Sequence, residues 1–386
     1  MAGRGRKISK RAFIRKGLAG LGGLYLCQYW RPVFSMPAGR SAVTEADNLW
    51  KWSHEAYHYI STPRGMKCRI CPNECEIKPG ETGDCRNKTV SGGKLYTIAY
   101  GNPCSVHADP IEKKPLFHFL PASSVLSIAT AGCNLACLNC QNWEISQKSP
   151  RETRNYDLMP EKLVKSAIEG KYRSISYTYS EPVAFYEYTL DSARLARQAG
   201  IKNVVVSNGY IHEKPLREWC KVVDAANIDL KSFSDDTYAM LNAGKLEPVL
   251  QSLRIYKEEG VWLEITNLII PTWTDDMSMI TQMCRWLVKN GFHDTPLHFS
   301  RFSPLYKLNH LPSTPVATLE KARKVAMDEG MHYVYIGNVL SHTAENTYCP
   351  ECKKLLIERK GFYITQNNLV NGKCKYCSHT VPGVWE

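Results

Sequence analysis

Cys133, Cys137 and Cys140 stand within eight residues, in the run Cys133-Asn134-Leu135-Ala136-Cys137-Leu138-Asn139-Cys140 that leads into Gln141-Asn142-Trp143. Three thiols on one short loop can ligate three corners of a cubane iron–sulfur cluster, and with no fourth cysteine on the loop one iron is left open. An open metal position takes a small molecule, as a three-ligand zinc site does where a four-ligand site is closed. A low-potential cluster can then hand that molecule one electron. Buried thiols or a zinc knuckle are the plainer accounts, because cysteine is often buried without any ligand. Three so close together, opened by Thr130-Ala131-Gly132 after the apolar run Val125-Leu126-Ser127-Ile128, favour the cluster.

Two more cysteine sets are metal-like. Cys68, Cys71 and Cys75, joined by Cys85 after a stretch holding Pro79, Gly80 and Gly83, make a four-thiolate site that can staple a module too small to fold on a core of its own. Zinc and an auxiliary iron–sulfur cluster both fit that spacing, with zinc the first choice. Cys349 and Cys352, then Cys374 and Cys377, are two knuckles flanking a hairpin with an Asn371-Gly372 turn, the pattern of a zinc ribbon, to which a lid or docking role is assigned. Of the fifteen cysteines, Cys27, Cys104, Cys220 and Cys284 stand outside these groups. A chain of this size with clustered cysteines points to metal rather than to disulfides.

The elements that must position these thiols are legible between 121 and 340. Strand-like runs fall at Val125–Thr130, Ser174–Tyr179, Asn203–Ser207, Ala226–Leu230, Val261–Ile269, Leu297–Phe302 and His332–Ile336. Helical patterns lie between them: Leu163, Val164, Ala167 and Ile168 share a face after Pro160, as do Leu319, Ala322, Val325 and Ala326. Such alternation implies an α/β fold, a parallel sheet covered by helices. In barrels of that kind the working residues sit at the carboxyl ends of the strands, which selects Ser180-Glu181-Pro182, Ser207-Asn208, and the pair Asp229 and Lys231. A carboxylate such as Glu181 can accept charge-assisted bonds from a ligand's ammonium; a helix N-cap before Pro182 is the bland alternative. Asp229 and Lys231, two apart, face one side of a strand. Asn267, His298 and Arg301 are candidates to shape the substrate cavity, with His298 and Arg301 placed in catalytic roles. The link 109–119 offers Glu112, Lys113, Lys114 and His118 to that cavity, or is a solvated loop docked on the barrel.

The net charge of +12 suggests nucleic acid, but residues 1 to 40 carry nine Lys or Arg and no acid, leaving 40 basic against 37 acidic residues in the rest. The basic character therefore belongs to the leader and says nothing of a nucleic-acid surface in the body, and no nucleic-acid partner is expected. The basic run Lys10-Arg11 with Phe13, followed by the glycine-rich Gly17–Leu26, reads as a leader over 1–45, similar to a twin-arginine export signal with lysine in first place. It implies cofactor assembly in the cytoplasm and transient membrane contact on the way to the periplasm or membrane surface, an uncleaved cytoplasmic tail being the alternative. The remaining divisions are a four-Cys module and linker over 46–120, a barrel over 121–340 and the ribbon over 341–386.

The spacing of Cys133, Cys137 and Cys140 is that of the radical S-adenosylmethionine (SAM) enzymes. Together with the Cys68–Cys85 module, the Asp109–Pro115 link, Tyr177–Pro182, Asp229-Leu230-Lys231-Ser232-Phe233, Tyr335-Ile336-Gly337-Asn338 and the ribbon closing in Gly383-Val384-Trp385, the chain resembles the AmmeMemoRadiSam system radical SAM enzymes, relatives of the pyruvate formate-lyase activating enzymes. The resemblance implies a partial TIM barrel, a [4Fe-4S] cluster on the three cysteines, and S-adenosylmethionine as the ligand. It also implies that Glu181 holds the methionine amine, that Ser207 and Asn208 match a polar strand end of the activating enzymes, and that Asp229 and Lys231 face the ribose or carboxylate. A flavodoxin- or ferredoxin-type electron donor and Memo-like and AMMECR-like proteins are the implied partners. The implied reaction is cleavage of S-adenosylmethionine to a 5′-deoxyadenosyl radical that abstracts hydrogen from a protein or small molecule; glycyl-radical activation is a narrower form, and electron transfer without S-adenosylmethionine the competing class.

Overall fold

Apolar segments that alternate with amphipathic helices reach one another through crossovers, and such crossovers make neighbouring strands parallel. The computed structural model describes residues 51–340 and 342–386. In it β1 (Ser105–Pro110) pairs antiparallel with β2 (Ser124–Ala129), and β3 (Ser174–Tyr177), β4 (Lys202–Ser207), β5 (Ala225–Asp229), β6 (Trp262–Ile269), β7 (Leu297–Arg301) and β8 (Val334–Gly337) follow in sequence order, each parallel to the last. The result is an eight-stranded mixed sheet. The longer connections carry α1 (Pro160–Glu169), α2 (Tyr186–Gln198), α3 (Glu213–Cys220), α4 (Leu246–Glu258), α5 (Met277–Lys289) and α6 (Val316–Asp328).

The seven parallel strands follow the sequence pattern; β1 does not appear in it. Asp109 and Pro110 look like loop residues, yet Asp109 sits opposite Val125 and Pro110 opposite Ser124. Proline is tolerated there because β1 is an edge strand and the missing N–H costs no ladder bond. The link beyond it is not solvated either. Asp109, Glu112, Lys114 and His118 are all buried, and Ile111, Leu116, Phe119 and Leu120 pack on Val125, Val204 and Ala225, closing one face of the sheet. In α1, Leu163, Val164 and Ala167 are buried as the pattern requires, but Ile168 is 55% exposed. One residue past Ala167 turns it about 100° off the buried stripe.

Residues 54–97 form two small three-stranded antiparallel sheets. The tail adds a three-stranded sheet over 347–367 and a hairpin, Leu369–Val370 with Lys373–Cys374, turned by Asn371 (φ 51°) and Gly372 (φ 70°). Two positive φ values make the hairpin turn for which Asn-Gly is suited. The tail shares a core with the sheet: Cys349, Leu356, Ile357, Cys374 and Val381 pack with Phe117, Tyr333 and Tyr335. Among the described residues no helix is long and apolar enough to cross a membrane. The leader and its export signal lie outside the described residues.

Candidate active site

The cysteine loop leaves the carboxyl end of β2 and is fixed from both sides. Gly132 adopts φ +104°, and a Cβ on it would lie 2.5 Å from the Cys85 carbonyl oxygen, so backbone and space both demand glycine. Its N–H donates to Ile145 O at 3.0 Å. On the far side a π-helical turn, Tyr238–Asn242, ends at Ala243 in the left-handed region. That turn holds the loop through Ala136 N to Asn242 O (3.0 Å) and Leu138 N to Leu241 O (2.9 Å).

The sulfurs are approached by donors. Asn242 Nδ2 donates to Cys137 Sγ at 3.1 Å, Leu135 N to Cys133 Sγ at 3.4 Å, and Asn208 Nδ2 points at Cys133 Sγ from 3.8 Å. Burial, with neighbouring negative charge, pushes the Cys133 thiol well up and also raises Cys140. Thiols so placed give up their protons to a metal rather than to water. Asn242 was not visible in the sequence; the only cue is the turn-like Asn242-Ala243-Gly244.

Glu181 closes the adjacent strand end. Its Oε1 accepts from Val183 N (3.0 Å) and Ser207 Oγ (2.7 Å), and its Oε2 from Asn208 N (2.8 Å). The carboxylate thus caps the turn Pro182–Phe185 and also ties β3 to the end of β4. Burial raises its pKa to about 7 against the pull of those donors. Ser180 Oγ donates to Thr130 O at 2.5 Å, anchoring the start of the cysteine loop. Asn208 joins the two groups: its Nδ2 donates to Asn134 Oδ1 at 2.8 Å, and Asn134 Nδ2 donates to Tyr210 O at 2.7 Å.

At the next strand end Lys231 Nζ lies 2.9 Å from Asp229 Oδ2, and Tyr238 OH accepts from Lys231 N at 3.0 Å. Both side chains keep some exposure, 21% and 36%. Asn267 Nδ2 donates to Leu230 O at 2.7 Å and so fixes the strand end from β6. Arg301 Nε donates to Thr314 O at 2.8 Å at the end of β7.

His298 is placed differently from its neighbours in the sequence reading. It sits early in β7, level with Thr266 and Tyr335, is buried, and contacts Glu264 Oε2 at 2.7 Å. Glu264 also accepts from Phe117 N (3.0 Å), His118 N (2.7 Å) and Trp262 Nε1 (3.1 Å). One buried carboxylate therefore pins the 111–120 segment to the sheet, and His298 is part of that pin. His118 serves it from the other side, with Nε2 2.6 Å from Tyr335 OH.

A further polar cluster was unseen in the sequence. Asp109 accepts from Lys114 Nζ, from Tyr179 OH, and from Lys113 Nζ at 3.0 Å. Lys114 lies over the Tyr179 ring at 4.2 Å, and His107 meets the same ring edge-on at 5.8 Å. Burial works to raise Asp109, but Lys114 and the other donors outweigh it and bring its pKa down to about 2. Burial brings Lys114 down to about 8. Asn142 Nδ2 donates to Tyr179 O at 2.6 Å, linking this cluster to the residues after Cys140.

The remaining cysteines separate by spacing. Cys349 and Cys377 sulfurs are 3.6 Å apart, Cys352 and Cys374 3.7 Å, and all four lie within 4.8 Å of one another. Cys220 and Cys284 are buried in α3 and α5.

Residues 127–284, from β2 to within α5, match the family model of the Radical SAM superfamily. The chain belongs to the radical SAM superfamily. It is 46% identical over 321 residues to the uncharacterized protein MJ0808 of Methanocaldococcus jannaschii, covering 82% of this chain and 95% of that one. It is 23% identical over 161 residues to a pyruvate formate-lyase-activating enzyme of Clostridium pasteurianum, covering 41% of this chain and 67% of the other. A solved domain of a pyruvate-formate lyase-activating enzyme from Bacteroides vulgatus aligns with 16% identity and a TM-score of 0.37, over 43% of this chain and 99% of that one. Membership in the radical SAM superfamily implies a [4Fe-4S] cluster and S-adenosylmethionine. The residues fit that cluster: three thiols stand on one short loop, and N–H donors meet two of the sulfurs, as in cluster sites.

Proposed function

We propose that the protein reductively cleaves S-adenosylmethionine at the Cys133–Cys140 loop and uses the 5′-deoxyadenosyl radical to take hydrogen from a protein or small-molecule substrate. Held by the three thiols, a [4Fe-4S] cluster would supply the electron for that cleavage. The rest falls to the chain. Glu181 has used three of about four acceptor positions, leaving one on Oε2 for an ammonium group. Asp229 offers a carboxylate to ribose hydroxyls, and Lys231 an ammonium to a ligand carboxylate. Segment 111–120 seals one face of the partial barrel, and a dry cavity protects a carbon radical from quenching.

The observation that carries this reading is the span of Asn208, whose backbone N–H meets Glu181 while its side chain faces Cys133 and Asn134. It couples the thiol loop to the amine acceptor in one rigid unit. Likeness to a pyruvate formate-lyase-activating enzyme supports glycyl-radical installation as the narrower form. The motif set supports an AmmeMemoRadiSam-type enzyme fed by a flavodoxin- or ferredoxin-type donor and working with Memo-like and AMMECR-like proteins. The tail is a zinc ribbon in this reading: its 3.6 and 3.7 Å sulfur separations match the roughly 3.8 Å edge of a tetrahedron with Zn–S near 2.3 Å.

Anaerobically reconstituted protein with dithionite should convert S-adenosylmethionine to 5′-deoxyadenosine and methionine, and Cys137→Ala should abolish the conversion. Turnover persisting in that variant would refute the assignment. An electron-transfer protein would instead fail to bind S-adenosylmethionine at all.

A further inference from the structure

Tyr179 stands two residues before Glu181 with φ at +64°, in the left-handed region that glycine enters freely and a Cβ makes costly. A strained residue of this kind persists only where its surroundings hold it. Three groups do so. The phenol donates to Asp109 on β1, the Lys114 ammonium lies over the ring at 4.2 Å, and the backbone carbonyl accepts from Asn142 Nδ2 at 2.6 Å. Asp109 is itself fixed by Lys114 and, at 3.0 Å, by Lys113, and the Asp109–Lys114 pair is buried.

The ring and the backbone of Tyr179 therefore belong to different parts of the fold. Asp109 is opposite Val125, so it shares the face of the sheet that segment 111–120 covers. Ala225 packs under the same segment, and Asp229, four residues on in β5, belongs to that face as well. The phenol is thus anchored on the face that carries Asp229.

The backbone is tied to the thiol loop where the chain enters it and where it leaves. On the entering side Ser180 Oγ donates to Thr130 O, and Glu181 N to Gly132 O at 3.4 Å. On the leaving side the tie is Asn142, two residues past Cys140. The two sides are also joined to each other, because Asn142 O accepts from Ser146 N at 2.8 Å and Gly132 N donates to Ile145 O at 3.0 Å. A tilt at Tyr179 consequently moves Glu181 and both ends of the loop together. Glycine at this position would take the same φ without strain, but would leave Asp109 unconnected to the loop.

We propose that Tyr179 is a positioning residue: its phenol, held by the Asp109–Lys114 pair, sets the left-handed turn that aims Glu181 and braces the thiol loop through Asn142. With the phenol's bond removed, the thiols stay on their loop while the carboxylate shifts from the place where it meets a ligand's amine. The effect on S-adenosylmethionine rests on the proposed reading of the site; the bracing of the loop does not.

Tyr179→Phe removes only the hydroxyl and leaves Asp109 with both lysines. Hydrogen exchange along Cys133–Ile145 should quicken about tenfold, and S-adenosylmethionine should bind about tenfold more weakly, with loop iron unchanged. The loss should fall on KM for S-adenosylmethionine rather than on kcat for 5′-deoxyadenosine, and a lower kcat at unchanged KM would overturn the role. Asn142→Ala cuts the same brace at its other end, so the double variant should exchange no faster than either single one; effects that simply add would also overturn it. Tyr179→Gly relieves the backbone and deletes the anchor, and should bind S-adenosylmethionine more weakly than Tyr179→Phe. A glycine variant that binds like the parent would show that the tyrosine is merely tolerated. If the parent itself fails to bind S-adenosylmethionine, the reading of the site is refuted, and the exchange measurements alone then decide whether Tyr179 braces the loop.

Discussion

Glu181 Oε2 accepts the backbone N–H of Asn208 at 2.8 Å, so the carboxylate at the end of β3 is held by the first residue beyond β4. Sequence places them 27 residues apart. The bond turns an N-cap into a preorganised acceptor beside the thiol loop.

Glu181→Gln keeps the shape and removes the charge. A hydrogen bond to a charged group contributes about 1.5–3 kcal/mol, so S-adenosylmethionine affinity should fall roughly ten- to hundredfold with loop iron unchanged. Calorimetry on the anaerobic protein reads both. Because burial raises Glu181 to about 7, affinity in the parent should drop as pH falls below that value, and the variant should lose this dependence. For stability the sign is opposite. The folded pKa lies above the usual 4.5, so between about 4.5 and 7 the native state holds a proton the unfolded chain has lost, and Glu181's contribution declines as pH rises through that window.

Asp109→Asn should be costly because it strands Lys114. Removing one partner of a buried pair costs about 3–5 kcal/mol, and urea unfolding should show that loss, with Lys114→Met in the same chain recovering part of it. The acid limb follows from the depressed carboxyl: its contribution is present above about 3.8 and is lost as pH falls toward about 2. Stability unchanged in Asp109→Asn would refute the pairing.

Glu264→Ala leaves the N–H groups of Phe117, His118 and Trp262 and the His298 ring without their acceptor. Each buried orphan costs about 1–3 kcal/mol, so the variant should unfold at markedly lower urea. His298→Ala should act the same way at smaller magnitude, and should change stability more than the rate of 5′-deoxyadenosine formation. A large rate loss in a fully stable His298→Ala protein would support the catalytic role expected from sequence.

The ribbon sulfurs predict one tightly held zinc per chain. Cys352→Ala, or prolonged chelation, should release it and lower the melting temperature. The loosening should reach β8, because Phe117, Tyr333 and Tyr335 pack against Cys349, Leu356 and Cys374. Hydrogen exchange along Val334–Gly337 measures that spread.

The sequence by itself determined the three thiols of the loop, the parallel strands with their helices, and the polar strand ends at Glu181, Asn208, Asp229 and Lys231. These are local: ligand spacing lies within one loop, and the periods of strand and helix are written over a few residues. Only the tertiary structure decided what depends on contacts between distant segments. Asp109, Lys114 and Tyr179 stand in motifs that the sequence marks, but nothing local pairs them, and they meet only because β1 folds back on β2. In sequence His298 stands near a strand end as a candidate for the cavity; the register sets it level with Thr266, and Glu264 contacts its ring. Asn242 reaches Cys137 through a π turn that no periodicity announces. A buried polar group must find a partner, and which partner it finds is fixed by topology rather than by neighbours in the chain.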